Sequence, residues 1–361
     1  MRGRSAGVAR AFSSKIGPVR AVHVVTRLNV GGIARYLEGA RGAVDVLLRG
    51  TVEGEEREAR WEGPQAFLPA LRRSVDPLRD GRALLDLVRR LERLRPDVVH
   101  THASKAGALG RLAAWRVGIP WVHTFHGHVL DGYFPAPVAR LLAAVERLLA
   151  RGGVVTATGP ATARDLERRL GVPVAVLPPG IELPPPVSDA RERWRKSLGD
   201  PERIALLVGR PAAVKDHARF VAAARGAGYL PVAAGARRVP GALPLGHVER
   251  MENLYHAVDV VVLASRREGT PFALLEAAWC GRAVVATPVG DVAWVVGEGG
   301  IVTEDLEGGL RRLRDPDLRA SLGAVAAERV RRLFPASAVA PRLRALYASL
   351  RPPHPPYAHL T

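Results

Sequence analysis

Short apolar, β-branched runs alternate with amphipathic stretches along the whole chain. Residues 258–264 (VDVVVLA) form one such run, the pattern of a strand buried on both faces of a parallel sheet. Residues 272–280 (FALLEAAWC) predict a helix, stopped by Gly281. Ahead of it, Thr270 suits the N-cap, and Pro271 the first helical position, where a missing N–H costs nothing. The same unit recurs. Strands are expected at 19–25, 44–48, 97–101, 121–124, 154–156 and 174–177, then at 204–208, 229–234 and 283–286. Helices are expected at 33–42, 79–94, from about 104 to 117, and at 137–151, 160–170, 190–198, 251–258, 306–313 and 317–333. In 79–94, Leu84, Leu85, Val88 and Leu91 share a face. In 137–151, Leu141, Leu142, Val145, Leu148 and Leu149 are expected inside, with Arg140, Arg147 and Arg151 outside. Residues 51–63 read as irregular. This rhythm is that of doubly wound α/β folds, whose ligands bind at the carboxyl ends of the strands. A chain of 361 residues carries two such units by default, and the proline-rich 183–188 (LPPPVS) is the natural hinge between them.

Composition narrows the partners. Cys280 is the only cysteine, so neither an internal disulfide nor a Cys-rich zinc site is expected. There is no apolar run of spanning length, and the basic, acid-poor residues 1–17 lack the apolar centre of a secretory signal. The expected location is therefore the cytoplasm, at the inner membrane face. The formal charge of +18 suits an anionic partner: a nucleotide diphosphate, a nucleic acid or an anionic membrane surface. With 5% aromatics and no nucleic-acid motif, nucleic acid is not expected.

The candidate chemistry sits at predicted strand ends. The helix start at Phe272 and Ala273 offers backbone N–H groups and a partial positive charge, a natural phosphate seat. Glu268 and Glu276 bracket it, eight positions apart. Carboxylates beside an anion site need hydroxyl partners, so a phosphate flanked by polyols fits, as in a nucleotide-sugar. Gly31 and Gly32 follow the first strand and let the backbone approach a ligand. Arg210 and Lys215 follow the strand at 204–208, where two cations can neutralise a diphosphate. His100, His102, His123, His126 and His128 crowd two strand ends, but no nearby cysteine or helical His-x-x-x-His spacing supports a metal, so neither a metal nor a cofactor is expected.

The run Glu268-Gly269-Thr270-Pro271-Phe272-Ala273-Leu274-Leu275-Glu276, with 277–289 (AAWCGRAVVATPV) after it, resembles the signature of the retaining glycosyltransferases of family 4. The resemblance extends from about residue 19 to 350. It implies the GT-B architecture, α/β with two Rossmann-like doubly wound domains facing a central cleft. The implied organisation is a basic extension (1–18), an acceptor-side domain (19–187), a nucleotide-sugar domain (188–335), a helix crossing back to the first domain (336–350) and a tail (351–361). Arg210 and Lys215 match the family's diphosphate clamp. Glu276 would hold the ribose and Glu268 the transferred sugar. Gly269, Thr270, Pro271, Phe272 and Ala273 would line the donor. His126 would contact the sugar from the first domain, beside the Gly31-Gly32 loop. Residues 123–134 (HTFHGHVLDGYF) resemble a bacterial subgroup linked to surface-polysaccharide or glycolipid assembly, with Asp131 and Tyr133 on the acceptor side. The implied function is transfer from a nucleotide-sugar, a UDP-sugar by family habit, to a sugar or lipid-linked acceptor. Pro179 departs from the family's Pro-Asn-Gly-Ile-Asp, and the stretch after residue 234 is shortened. A non-catalytic nucleotide-sugar- or carbohydrate-binding scaffold is the alternative these departures leave open.

Overall fold

A computed structural model describes residues 19–54, 57–127, 130 and 135–350. The two end segments expected to be extension and tail, and also His128, Asp131 and Tyr133, lie outside the described residues.

The first half runs β1 Ala21–Val25, α1 Gly32–Gly39, β2 Val46–Arg49, β3 Gln65–Phe67, α2 Pro77–Leu94, β4 Val98–His102, α3 Ser104–Val117, β5 Trp121–Phe125, α4 Ala136–Ala150, β6 Val154–Ala157, α5 Pro160–Leu170 and β7 Val174–Val176. Its strands form one parallel sheet ordered β3-β2-β1-β4-β5-β6-β7. The second half runs α6 Ala190–Ser197, β8 Ile204–Val208, α7 His217–Gly226, β9 Leu230–Ala234, β10 Leu243–Gly246, α8 Met251–Ala257, β11 Val260–Leu263, α9 Phe272–Trp279, β12 Ala283–Ala286, α10 Val292–Val296, β13 Gly300–Val302, α11 Leu306–Arg312, α12 Pro316–Leu333 and α13 Val339–Leu350. These strands form a second parallel sheet ordered β10-β9-β8-β11-β12-β13. In both sheets the order reverses beside the first strand of the half, which opens a crevice at the carboxyl ends there.

The inner strands of each sheet are buried on both faces. β11 is wholly inside, as its unbroken valines require. α13 returns to the first half: Arg344 pairs bidentately with Asp45 at 2.9 and 3.0 Å, and Tyr347 is buried against the first sheet. Where the chain leaves the first half, Gly180 lies against residues 335 and 336, too close for any side chain.

The described residues of 51–63 are irregular apart from an antiparallel bridge between Glu58 and Asn29, and the edge strand β3 that follows was not foreseen. Two expectations need correction. Thr270 does not cap α9. Pro271 occupies the cap position, no side chain caps the helix, and Thr270 Oγ1 is buried without a partner. The faces of α4 also differ from expectation: Leu141, Val145 and Leu148 point to solvent, the first and last at 65% and 72% exposure. The inward face instead carries Glu146, which pairs with buried Arg111 of α3 at 2.6 Å. The packing face of α4 thus carries an ion pair, while Leu141, Val145 and Leu148 lie outside. Breaking that pair by Glu146→Ala would strand a buried guanidinium and is expected to cost about 3–5 kcal/mol, read by denaturant unfolding.

Candidate active site

The loops after β8 and β11, neighbouring strands, hold most of the expected site. Lys215 Nζ lies 2.6 Å from Glu268 Oε1. The two loops are tied together, because Arg266 N donates to Val214 O at 2.8 Å and Arg266 Nε to Asp216 Oδ2 at 2.9 Å. Lys215 lies over Gly209, which precedes Arg210; Arg210 is exposed on the same loop. Gly209 in turn faces Gly235 closely, at the end of β9. Just beyond Glu268, α9 begins. Its first bonds are given by Leu274 and Leu275 to Pro271 O, so the N–H groups of Phe272 and Ala273 lie ahead of the helical ladder.

Glu276 is buried on α9 and has two partners. Its Oε2 accepts from Tyr255 Oη at 2.9 Å, and its Oε1 lies 3.2 Å from Arg35 Nε. Burial raises the Glu276 pKa, while Arg35 and Tyr255 oppose the rise. Burial works against the Arg35 cation too, yet Glu276 and Glu38 beside it leave its pKa raised. Arg35 stands on α1, directly after Gly31-Gly32, so this pair joins the two halves across the cleft. Gly31 adopts φ +153°, open to glycine, and a side chain on Gly32 would press on the ring of Phe272.

The remaining first-half residue, His126, backs onto the same loop. A Cβ on Gly269 would fall 2.3 Å from His126 O, so only glycine allows the approach. Gly290, at φ +53°, packs on the Glu268 carbonyl in the same way. Beside it, Asp291 is fully buried and reaches across to the first half. It accepts from Ala161 N at 2.7 Å, from Thr162 N at 3.4 Å and from Thr162 Oγ1 at 2.5 Å. Helix α5 lacks a side-chain cap of its own, so a carboxylate of the other half supplies one. Asp291→Ala should cost about 1–3 kcal/mol, seen as a melting temperature lower by several degrees. An unchanged melting temperature would show that this contact does not hold the halves together.

Contacts thus link most of the expected residues in pairs: Gly32 with Phe272, Gly269 with His126, and Lys215 with Glu268, while Arg35 joins Glu276 to the first half. Arg35, Tyr255 and Asp291 were not singled out by the sequence. Each acts through a partner remote in the chain, and no local spacing announces it. Among the described residues, ring nitrogens of His23, His100 and His102 lie within 4.8 Å of one another, a geometry that admits a cation. His23 was not among the histidines weighed for a metal. A hollow of about 370 Å³ opens beside β10, lined by Trp194, Leu245, His247 and Val248 among others, and includes neither Glu268 nor Glu276.

Two parallel α/β sheets facing each other across a crevice, with paired acids and cations at a helix tip, define the GT-B architecture. Residues 30–183 match Glycosyltransferase Family 4, and residues 201–313 match Glycosyl transferases group 1. Both halves of the chain therefore match glycosyltransferase models. The chain is 30% identical over 285 residues to the D-inositol 3-phosphate glycosyltransferase of Acidothermus cellulolyticus, covering 64% of this chain and 62% of the relative. Across that protein and two of the same name, from Xylanimonas cellulosilytica and Geodermatophilus obscurus, the chain spans 60–65% of the relative's length. It is 26% identical over 286 residues to the UDP-Gal:alpha-D-GlcNAc-diphosphoundecaprenol alpha-1,3-galactosyltransferase of Escherichia coli, covering 70% and 71% of the two chains. Sucrose-phosphate synthase from Thermosynechococcus elongatus superposes with a TM-score of 0.77 at 20% identity, over 92% of this chain and 99% of that one. Anabaena HepE in complex with UDP-glucose gives 0.77 at 16% identity, over 91% and 99%. At these identities the likeness to solved structures shows the fold alone.

Proposed function

We propose that this protein is a retaining, metal-independent glycosyltransferase that moves a hexose from a UDP-sugar to an acceptor hydroxyl in surface-polysaccharide or glycolipid assembly. The observation that carries the reading is the Lys215–Glu268 pair at 2.6 Å beside the open start of α9, with buried Glu276 one to two turns along. Cation, helix tip and two carboxylates match a ligand that is anionic in the middle and rich in hydroxyls on both sides. The solved HepE complex holds UDP-glucose, and the Escherichia coli relative is named for UDP-Gal, which favours uridine as the base.

In this reading Arg210, Lys215 and the N–H groups of Phe272 and Ala273 take the diphosphate. Glu276 accepts from the ribose and Glu268 from the transferred sugar. The bond to the leaving diphosphate breaks through an oxocarbenium-like state, and that diphosphate receives the acceptor's proton on the same face. The protein's contribution is orientation and stabilisation of the charge that builds on the leaving group. The test is incubation with a panel of nucleotide-sugars, in EDTA, with and without glycan or lipid-linked acceptors. Product with the donor's anomeric configuration supports the reading. Nucleotide binding with no turnover under any acceptor favours the scaffold alternative.

The lipid side of the proposal rests on α4. Leu141, Val145 and Leu148 form an exposed stripe at helical spacing, bordered by Arg140, Arg147 and Arg151. Apolar and basic groups side by side suit an anionic bilayer. Among the described residues no helix is long and apolar enough to cross a membrane, so this contact would be peripheral. The wild-type chain is expected to sediment with phosphatidylglycerol vesicles and not with phosphatidylcholine ones. The Leu141→Glu/Leu148→Glu double variant should stay in the supernatant with its melting temperature unchanged.

A further inference from the structure

The polar side chains buried beneath His126 form a continuous hydrogen-bonded chain, and its direction can be worked out. Strand register assembles it. His23 faces His100 across β1 and β4, His102 faces Thr124 across β4 and β5, and Thr124 faces Thr156 across β5 and β6. Side chains two apart share a face, so these groups line one side of the first sheet. Tyr347 arrives there from α13. The contacts run from His126 Nε2 to His102 Nδ1 (3.0 Å) and from His102 Nε2 to His23 Nδ1 (3.0 Å). They continue from His23 Nε2 to Tyr347 Oη (2.9 Å) and from there to His100 Nδ1 (2.5 Å). His100 Nε2 then meets Thr124 Oγ1 (2.6 Å), Thr124 Oγ1 meets Thr156 Oγ1 (2.6 Å), and Thr156 Oγ1 lies 3.3 Å from the backbone carbonyl of His123.

That carbonyl can only accept. When the Thr156 hydroxyl donates to it, Thr124 must donate to Thr156, His100 to Thr124, and Tyr347 to His100. His23 then donates to Tyr347, His102 to His23 and His126 to His102. Every hydroxyl and every neutral imidazole uses its one proton once. All four rings are then protonated on Nε2, and the chain ends at His126 Nδ1 as a bare acceptor. Nδ1 is sealed from solvent and has no protein partner. The opposite direction would leave an N–H orphaned at that atom and the His123 contact unused. Buried orphan N–H groups are rarer and costlier than orphan acceptors. The rings are neutral, because burial pushes the pKa of His23 and His126 down to about 3 and those of His100 and His102 well below their usual value.

We propose that this relay locks His126 in the Nε2–H form, so that any group reaching its Nδ1, a donor sugar included, meets only a hydrogen-bond acceptor, and that Tyr347, on the helix that crosses back, is a positioning residue for it. The link to the sugar rests on the function proposed above; the protonation pattern does not. A crossing helix, by this account, does more than tie the halves together. Its hydroxyl sits in the middle of the relay and carries the direction set at the His123 carbonyl on to His23 and His126.

Long-range proton–nitrogen NMR of the full chain labelled with 15N-histidine reads the pattern directly, with signals assigned by single His→Gln substitutions. At pH 7 His23, His100, His102 and His126 should all show the Nε2–H pattern, and all should stay neutral at pH 6. An Nδ1–H form or a charged ring at any of the four overturns the relay. So does a stoichiometric transition metal whose removal by chelator shifts His23, His100 and His102, since a metal would take the lone pairs the relay uses. Tyr347→Phe should give His126 a mixture of both forms and lower kcat about tenfold, roughly 1.4 kcal/mol, with UDP affinity within twofold of wild type. If Tyr347→Phe leaves the His126 signal in one form, the hydroxyl does not position it. If the signal changes and kcat does not, the relay stands and His126 does not meet the sugar. The wild-type spectrum decides the protonation pattern even if the variant fails to fold.

Discussion

Replacing Lys215 with alanine is expected to lower turnover at saturating donor by roughly 100- to 1,000-fold, the range seen when one group facing developing charge is removed. The reasoning is local. Lys215 is half-buried, is fixed by the Glu268 carboxylate at 2.6 Å, and stands on a loop tied to the Glu268 loop by Arg266. A cation held this way needs no reorganisation when negative charge builds on a leaving diphosphate. The substitution also frees Glu268, which loses its ion pair with Lys215. Stability should change little, because the pair is partly exposed. Steady-state kinetics with a saturating UDP-sugar check the prediction; a kcat within threefold of wild type would remove Lys215 from the mechanism.

Glu276→Ala should act differently. Its carboxylate is buried and, in the proposed function, accepts from the ribose. Loss of charge-assisted bonds of about 1.5–3 kcal/mol corresponds to donor affinity weaker by roughly 10- to 100-fold, with kcat less affected. Tyr255 would keep only its 3.4 Å contact to Ala273 O, and Arg35 would lose its link across the cleft. A pH dependence follows from the same burial. The Glu276 pKa is raised, so on acidification it takes up its proton earlier than an ordinary glutamate. Donor affinity should therefore be full above that pKa and fall as the pH drops through it. Glu276→Gln should abolish this acid limb. Calorimetric titration with UDP across pH measures both effects.

Most of the fold was legible because parallel strands buried on both faces must be continuous apolar runs, as at β8, β11 and β12. β3 was not legible, because it is a short edge strand with its first and last residues exposed and lacks such a run. The faces of α4 were misassigned because apolarity was the only guide, and the packing there is decided by Glu146 meeting Arg111, which is 35 residues away. At the site, spacing indicated Arg210 and Lys215 after β8, and Glu268 and Glu276 after β11. It could not indicate Arg35, Asp291 or Tyr347. Their roles exist only once the two halves face each other, and a single chain gives no pattern for contacts of that kind. Thr270 misled for another reason. Its hydroxyl has the right chemistry for a cap, but the helix begins one residue later, with Pro271 at the cap position.

The central claim is that a diphosphate is held between Lys215 and the start of α9, with Glu276 on the ribose. A crystal structure of the full chain with UDP tests it most directly. The account predicts β-phosphate oxygens within hydrogen-bond reach of Lys215 Nζ and of the Phe272 and Ala273 N–H groups, and both ribose hydroxyls on the Glu276 carboxylate. UDP bound with its phosphates away from the tip of α9, or with its ribose clear of Glu276, would contradict it.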